Sequence, residues 1–133
     1  MKISTEALAY WFFRLNGFLT IVNFVVHVEK RGKTGTDVDI LGVRFPYRAE
    51  LLDKSMTDYE EFTKITARPF IAIAEVKRGQ CNLNGPWTDR EKRNMDRVLR
   101  AIGAIPSEDT DDVADALYSE GFFKSPDYYV SLI

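Results

Sequence analysis

Two short segments of this sequence are apolar enough to form buried strands, yet each carries carboxylates within the run: Thr36-Asp37-Val38-Asp39-Ile40-Leu41-Gly42 and Ile71-Ala72-Ile73-Ala74-Glu75-Val76-Lys77-Arg78. Taking an unpaired carboxylate out of water is costly, so any fold that buries these runs must supply a countercharge, hydrogen bonds or a cation. Residues two apart in a strand share a face, which predicts that Asp37 points with Asp39 and Glu75 with Lys77. If the two strands are neighbours, three carboxylates and one ammonium converge on a small patch. Such a patch suits a divalent cation and the cleavage of a phosphodiester.

The rest of the composition sets the frame. A length of 133 residues fits one domain spanning 1–133, and 45% hydrophobic residues suffice for a core. The lone Cys81 cannot form an internal disulfide, which fits a reducing compartment. No start resembles a secretory signal, and the longest apolar run, 18–28, is interrupted by Thr20, Asn23 and His27. The expectation is a soluble cytoplasmic protein without a membrane partner. The sequence closes on an apparent strand with no tail, as a piece truncated at its C-terminus would. A net charge of −2 argues against a protein that simply coats DNA. It argues less against a nuclease, because an empty cation site counts as negative.

The pattern predicts a helix over 4–16 with Ser4 as N-cap and Gly17 as stop, then a strand over 18–29. A glycine-punctuated turn, Lys30-Arg31-Gly32-Lys33-Thr34-Gly35, leads to a second strand over 36–45. Residues 47–68 read as a polar excursion with one helical turn near 59–64, and 70–78 as a third strand. After a loop at 82–87, a helix is predicted over 88–103. There Thr88 and Glu91 have capping-box spacing, and Met95, Val98, Leu99 and Ile102 form an apolar stripe. A further helix over 110–120 stops at Gly121, and a last strand covers 128–133. The order predicts an α/β fold with a mixed central sheet flanked by helices.

Asp39 and Glu75 are the expected ligands of magnesium or manganese, with Asp37 and the Val76 carbonyl as further oxygen donors. Lys77 has two possible roles: to orient or activate the attacking water, or to stabilise charge growing on phosphate. The arrangement resembles the PD-(D/E)XK nuclease superfamily, the restriction-endonuclease-like fold with its αβββαβ core. Asp39 matches the aspartate and Glu75-Val76-Lys77 the (D/E)XK element. The similarity is closest to archaeal Holliday-junction resolvases and their small bacterial relatives. In those, a glutamate early in the first helix, a glycine ending that helix, an acidic-x-Asp strand and Glu-Val-Lys follow in order. Here these are Glu6, Gly17, Asp37-Val38-Asp39 and Glu75-Val76-Lys77. Val38 stands where the family name has proline, and residues 47–68 must loop out as an insertion. The resemblance implies a metal-dependent endonuclease acting on DNA, with Glu6 joining Asp39, Glu75 and Lys77 in catalysis. Two cuts in a duplex would call for a homodimer.

Each candidate also has a plainer reading. Asp39, Glu75 and Lys77 make a structural ion-pair cluster at a sheet edge, Asp37 a solvated strand start, and Glu6 a partner of its own helix dipole. Arg93, Arg97 and Arg100 line one side of the 88–103 helix, either as phosphate contacts or as a solvated face. Lys30, Arg31 and Lys33 either grip a nucleic-acid backbone or decorate a hairpin turn. His27 reads as a strand residue, Trp87 as packing beside a helix start, and Gln80 as a neighbour of the acidic site. The function expected is divalent-metal-dependent endonucleolytic hydrolysis of phosphodiester bonds in DNA. The alternative is a catalytically silent module of the same fold that binds nucleic acid or protein.

Overall fold

Ser4 opens the first helix as its position in the sequence predicts: its hydroxyl accepts the Ala7 N–H at 3.1 Å. A computed structural model describes residues 2–27, 34–49, 53 and 56–133, with 27, 34 and 35 as backbone alone. Helix α1 (Thr5–Leu15) ends at Asn16 and Gly17, where φ is +84°. Strands β1 (Leu19–His27) and β2 (Thr34–Arg44) pair antiparallel, and β2 pairs antiparallel with β3 (Phe70–Ala74). The 47–68 excursion carries the short helix α2 (Glu60–Thr63). Helices α3 (Gly85–Thr88), α4 (Asn94–Ile102) and α5 (Thr110–Glu120) follow β3. Strands β4 (Phe122–Lys124) and β5 (Tyr129–Leu132) complete a five-stranded sheet of order β1-β2-β3-β5-β4. Because β5 runs parallel to β3, the sheet is mixed. Among the described residues, no helix is long and apolar enough to cross a membrane.

The sheet separates two cores. Ile71 and Ile73 of β3 face Met95, Val98 and Leu99 of α4 and Val113 and Leu117 of α5. Phe70, Ala72 and Ala74, on the other face, join Phe13 of α1, Phe18 and Phe62 of α2. The second core is largely aromatic, with the Phe18 and Phe62 ring centroids 4.8 Å apart. A side chain at Gly42 would press on the Phe18 ring, so glycine there lets the ring lie against β2. The excursion is tied down by charge as well. Asp58 accepts from Arg44 at 2.6 Å and from Arg48 at 2.8 Å, and the Tyr59 N–H donates to the Asn16 side chain at 2.6 Å.

Four sequence expectations need correction. The helix placed at 88–103 is broken. Residues 85–88, predicted in part as loop, form α3, a 3-10 turn covers Arg90–Lys92, and α4 begins only at Asn94. The reason is local: the Asp89 carboxylate accepts the Glu91 N–H, and Arg93 takes a left-handed conformation at φ 53°. The Tyr118 hydroxyl, from α5, accepts the Met95 N–H at 3.1 Å in the first turn of α4. Second, β3 stops at Ala74 instead of continuing to Arg78, because the Asp39 side chain takes the Val76 N–H in place of a backbone carbonyl. Third, β4 lies in 122–127, a stretch for which the sequence predicts no element. It forms because Ser125 closes a turn, its Oγ accepting the N–H groups of Asp127 and Tyr128.

Fourth, the two-residue alternation of β2 is interrupted. Val38 and Leu41, three apart, both join the core under α4 and α5, while Ile40 joins the other. Strand β1 loses its alternation at the same level, with the pairing register unchanged. Ile21 lies beside Leu41 and Phe24 packs against the first core, again three apart. Pairing skips Asn23 and Asp39, which would sit opposite each other, and Asn23 has φ 54°. Asparagine tolerates that conformation better than most residues. Asp39 therefore occupies the break in alternation, and a period of two no longer carries Asp37 along with it.

Candidate functional site

The break in the alternation of β2 and the early end of β3 together create the site. Asp39 Oδ2 accepts the Val76 N–H at 2.7 Å, which ties the carboxylate to the segment leaving β3. On either side of Val76, Glu75 Oε1 and Lys77 Nζ meet at 2.7 Å. The Glu75 backbone is anchored separately, its N–H donating to the Ile133 carbonyl at 2.9 Å. The Glu75 side chain is only 10% exposed and that of Lys77 30% exposed, so the acid is the more desolvated partner and the ammonium is its compensation. The Lys77 pKa is raised above the ordinary 10.5. The hydrogen bond it donates to Glu75 is the main cause; burial opposes it, and the negative charges of Glu75 and Asp39 add to the rise. The ammonium thus senses both carboxylates at once.

Neither carboxylate has another hydrogen bond among the described residues, so each keeps an oxygen uncommitted. Arg78 extends the cluster: its Nε donates to the Thr5 hydroxyl at 3.3 Å. That contact brings the first turn of α1, with the exposed Glu6, alongside the segment from Glu75 to Arg78. Arg78 and Thr5 were not singled out from sequence. The only signal was the position of Arg78, directly after Glu75-Val76-Lys77.

Asp37 and the α4 arginines, among the described residues, fall elsewhere. Asp37 is exposed opposite Val25 and makes no hydrogen bond or ion pair among the described residues, so the expected convergence of three carboxylates is not seen. No group of three or more His, Cys, Asp or Glu side chains is gathered for a metal among the described residues. Arg93 at α4 bonds Asp96 at 3.4 Å and Asp111 at 3.3 Å, and Arg100 reaches the same Asp111 at 3.6 Å. Arg97 is exposed without an ion pair among the described residues. The turn residues Lys30, Arg31 and Lys33, and the His27 side chain, lie outside the described residues. Trp87 is buried in the core under α4 and α5, whereas Gln80 and Cys81 are exposed.

The donor set that remains can be tested against a hard cation. Magnesium commonly takes one or two carboxylates and fills its other positions with water and substrate phosphate. Asp39 and Glu75, each with a free oxygen and only one compensating ammonium between them, fit that pattern. They do not fit a site built from four protein ligands. No family model, curated protein or solved structure matches the chain.

Proposed function

We propose that this protein is a divalent-metal-dependent nuclease with a restriction-endonuclease-like core, hydrolysing phosphodiester bonds in DNA. The observation that carries the reading is the gathering of Asp39, Glu75 and Lys77 around one peptide unit, Val76, just past the end of β3 and beside the middle of β2. Asp39 and Glu75 would hold magnesium or manganese. When bound, that ion supplies Lewis acidity and a more acidic water. Asp39 keeps its orientation through the Val76 N–H, and Glu75 is positioned to accept a proton from a water or to fix its direction. Lys77 is held protonated by its two acidic neighbours, so its role is to donate hydrogen bonds to a phosphate oxygen and stabilise growing negative charge. Of the two roles open to Lys77 from sequence, this favours charge stabilisation over proton abstraction. Arg78, beside Thr5, adds a second cation for the scissile or adjacent phosphate.

The second reading, a silent module of the same fold, is favoured by one observation: Asp111 neutralises Arg93 and Arg100, leaving Arg97 as the cation of that face without an ion pair among the described residues. Manganese titration of the amide NMR spectrum separates the two. The nuclease reading expects paramagnetic broadening centred on Asp39, Glu75 and Val76, and nicking of closed circular plasmid under the same conditions. Broadening confined to Asp111, Asp112 and Asp115, without nicking, would leave the silent module.

A further inference from the structure

A second site lies on the sheet face beneath α4 and α5, toward the other end of β2 and β3. Where β1 and β2 run past the end of α4, an open cavity of about 770 Å³ remains. Its apolar walls include Ile21, Leu41, Val43, Ile71, Ile102 and Tyr128. Leu19 and Ile21 on the edge strand remain 58% and 55% exposed there. Cavities of 300–1,000 Å³, roughly, with apolar walls and a few polar groups are the usual form of an organic-ligand site.

The polar groups at its rim have one sign. Asp109 and Asp127 both line the cavity, and no Lys or Arg among the described residues does. Neither carboxylate has an ion pair or a side-chain hydrogen bond among the described residues. Both act on the same phenol: burial chiefly holds the Tyr128 pKa above its ordinary value, with the charges of Asp109 and Asp127 adding to it. Asp109 adjoins the start of α5, where the helix dipole accounts for one carboxylate. Asp127 belongs to the turn before β5 and has no such reason. Anions, nucleic-acid phosphates included, are disfavoured here. An apolar body would cover Leu19 and Ile21, and a positive end would meet the two acids beside a low-dielectric wall, where the attraction exceeds that in water.

We propose that this cavity binds a hydrophobic organic cation, an aromatic or alkyl body carrying a protonated amine. It shares no lining residue with the acidic cluster: Leu41 is two residues from Asp39, and Ile71 is four residues from Glu75, about 13 Å at ~3.3 Å per residue.

The test uses the full chain and three probes of one shape: 2-naphthylmethylammonium, 2-naphthylmethanol and 2-naphthoate. Amide shifts are followed by NMR. The ammonium should move Ile21, Val43 and Tyr128 and bind roughly tenfold tighter than the alcohol, with the carboxylate weakest. The double substitution Asp109→Asn and Asp127→Asn should abolish the preference while leaving the alcohol's affinity unchanged. Asp127→Asn alone, at an exposed turn, should reduce it and guards against misfolding of the double variant. Ile21→Ser, at an exposed position, should weaken the ammonium and the alcohol alike. Equal affinity for all three probes, a cation preference that survives the double substitution, or no shift at millimolar ammonium would overturn the assignment. So would concentration-dependent broadening of the same amides without ligand, which would give the cavity to a second copy of the chain.

Discussion

Asp39, Glu75 and Lys77 were legible in the sequence as residue types in a particular order, because acids inside apolar runs require compensation. What could not be read was the means of compensation. The Val76 N–H that holds Asp39 is a tertiary donor, released only because β3 ends one residue earlier than Glu75. Asp37 lies apart from them for a related reason: the period of two holds only along a regular strand, and the alternation of β2 is interrupted at Asp39. The bond to Val76 separates support from chemistry. Asp39→Ala leaves a part-buried N–H without its charged acceptor and should lower unfolding stability by about 1–3 kcal/mol. Asp39→Asn keeps an acceptor oxygen and should lose far less, while both lose cleavage. Urea denaturation checks this, and equal destabilisation by the two substitutions would show that the bond contributes little.

The pH dependence of Lys77 also belongs to this scale. Its folded pKa lies above the unfolded value near 10.5, so the stabilisation from its partners is complete below that pH. It is lost as the pH rises through the folded value. Glu75→Gln removes the largest cause of the shift, so the ammonium should titrate at lower pH than in the parent protein. A carbon-detected NMR titration of the Lys77 Cε reads this directly. An unchanged midpoint would contradict the pairing described for Glu75 and Lys77.

At the scale of the element, α1 followed its sequence signals because the Ser4 cap and the Gly17 stop agreed, α5 stops at Gly121, and α2 forms a single turn with no side-chain cap. The 88–103 segment shows where such signals compete. Thr88 and Glu91 offered a capping box, but Asp89 caps the Glu91 N–H and Arg93 turns left-handed, so the helix restarts at Asn94. The apolar stripe was unaffected: Met95, Val98 and Leu99 are fully buried. The break matters for binding, because it places Arg93 beside Asp96 and Asp111. Arg97 alone of the three arginines has no ion pair among the described residues. Arg97→Ala should therefore flatten the salt dependence of DNA affinity by about one phosphate, a slope change near 0.9, and Arg100→Ala by less. Affinity measured against salt in calcium, to hold DNA uncut, makes the comparison. Equal slope changes for the two would mean that the contact with Asp111 is given up on binding.

Across the whole molecule, the alternation of one helix, three strands, helices and a returning strand was sufficient to predict a mixed sheet flanked by helices. Strand β4 escaped because three residues with two exposed positions carry almost no periodic signal, and its existence depends on the Ser125 turn and on pairing with β5. The docking of the 47–68 excursion was equally hidden, since it rests on Asp58 bridging Arg44 and Arg48 and on Phe62 entering an aromatic core. The resulting sheet offers two separate regions: an acidic cluster with its lysine where β3 ends, and an apolar cavity with an acidic rim toward the other end. The nuclease reading rests on the first. Its most direct test is magnesium-dependent nicking of closed circular plasmid by the parent protein and by Asp39→Asn, Glu75→Gln and Lys77→Met, each shown to be folded. The account predicts nicking by the parent, none when magnesium is chelated, and a loss of at least about a hundredfold in each variant. Nicking at the parent rate by folded Glu75→Gln would contradict it.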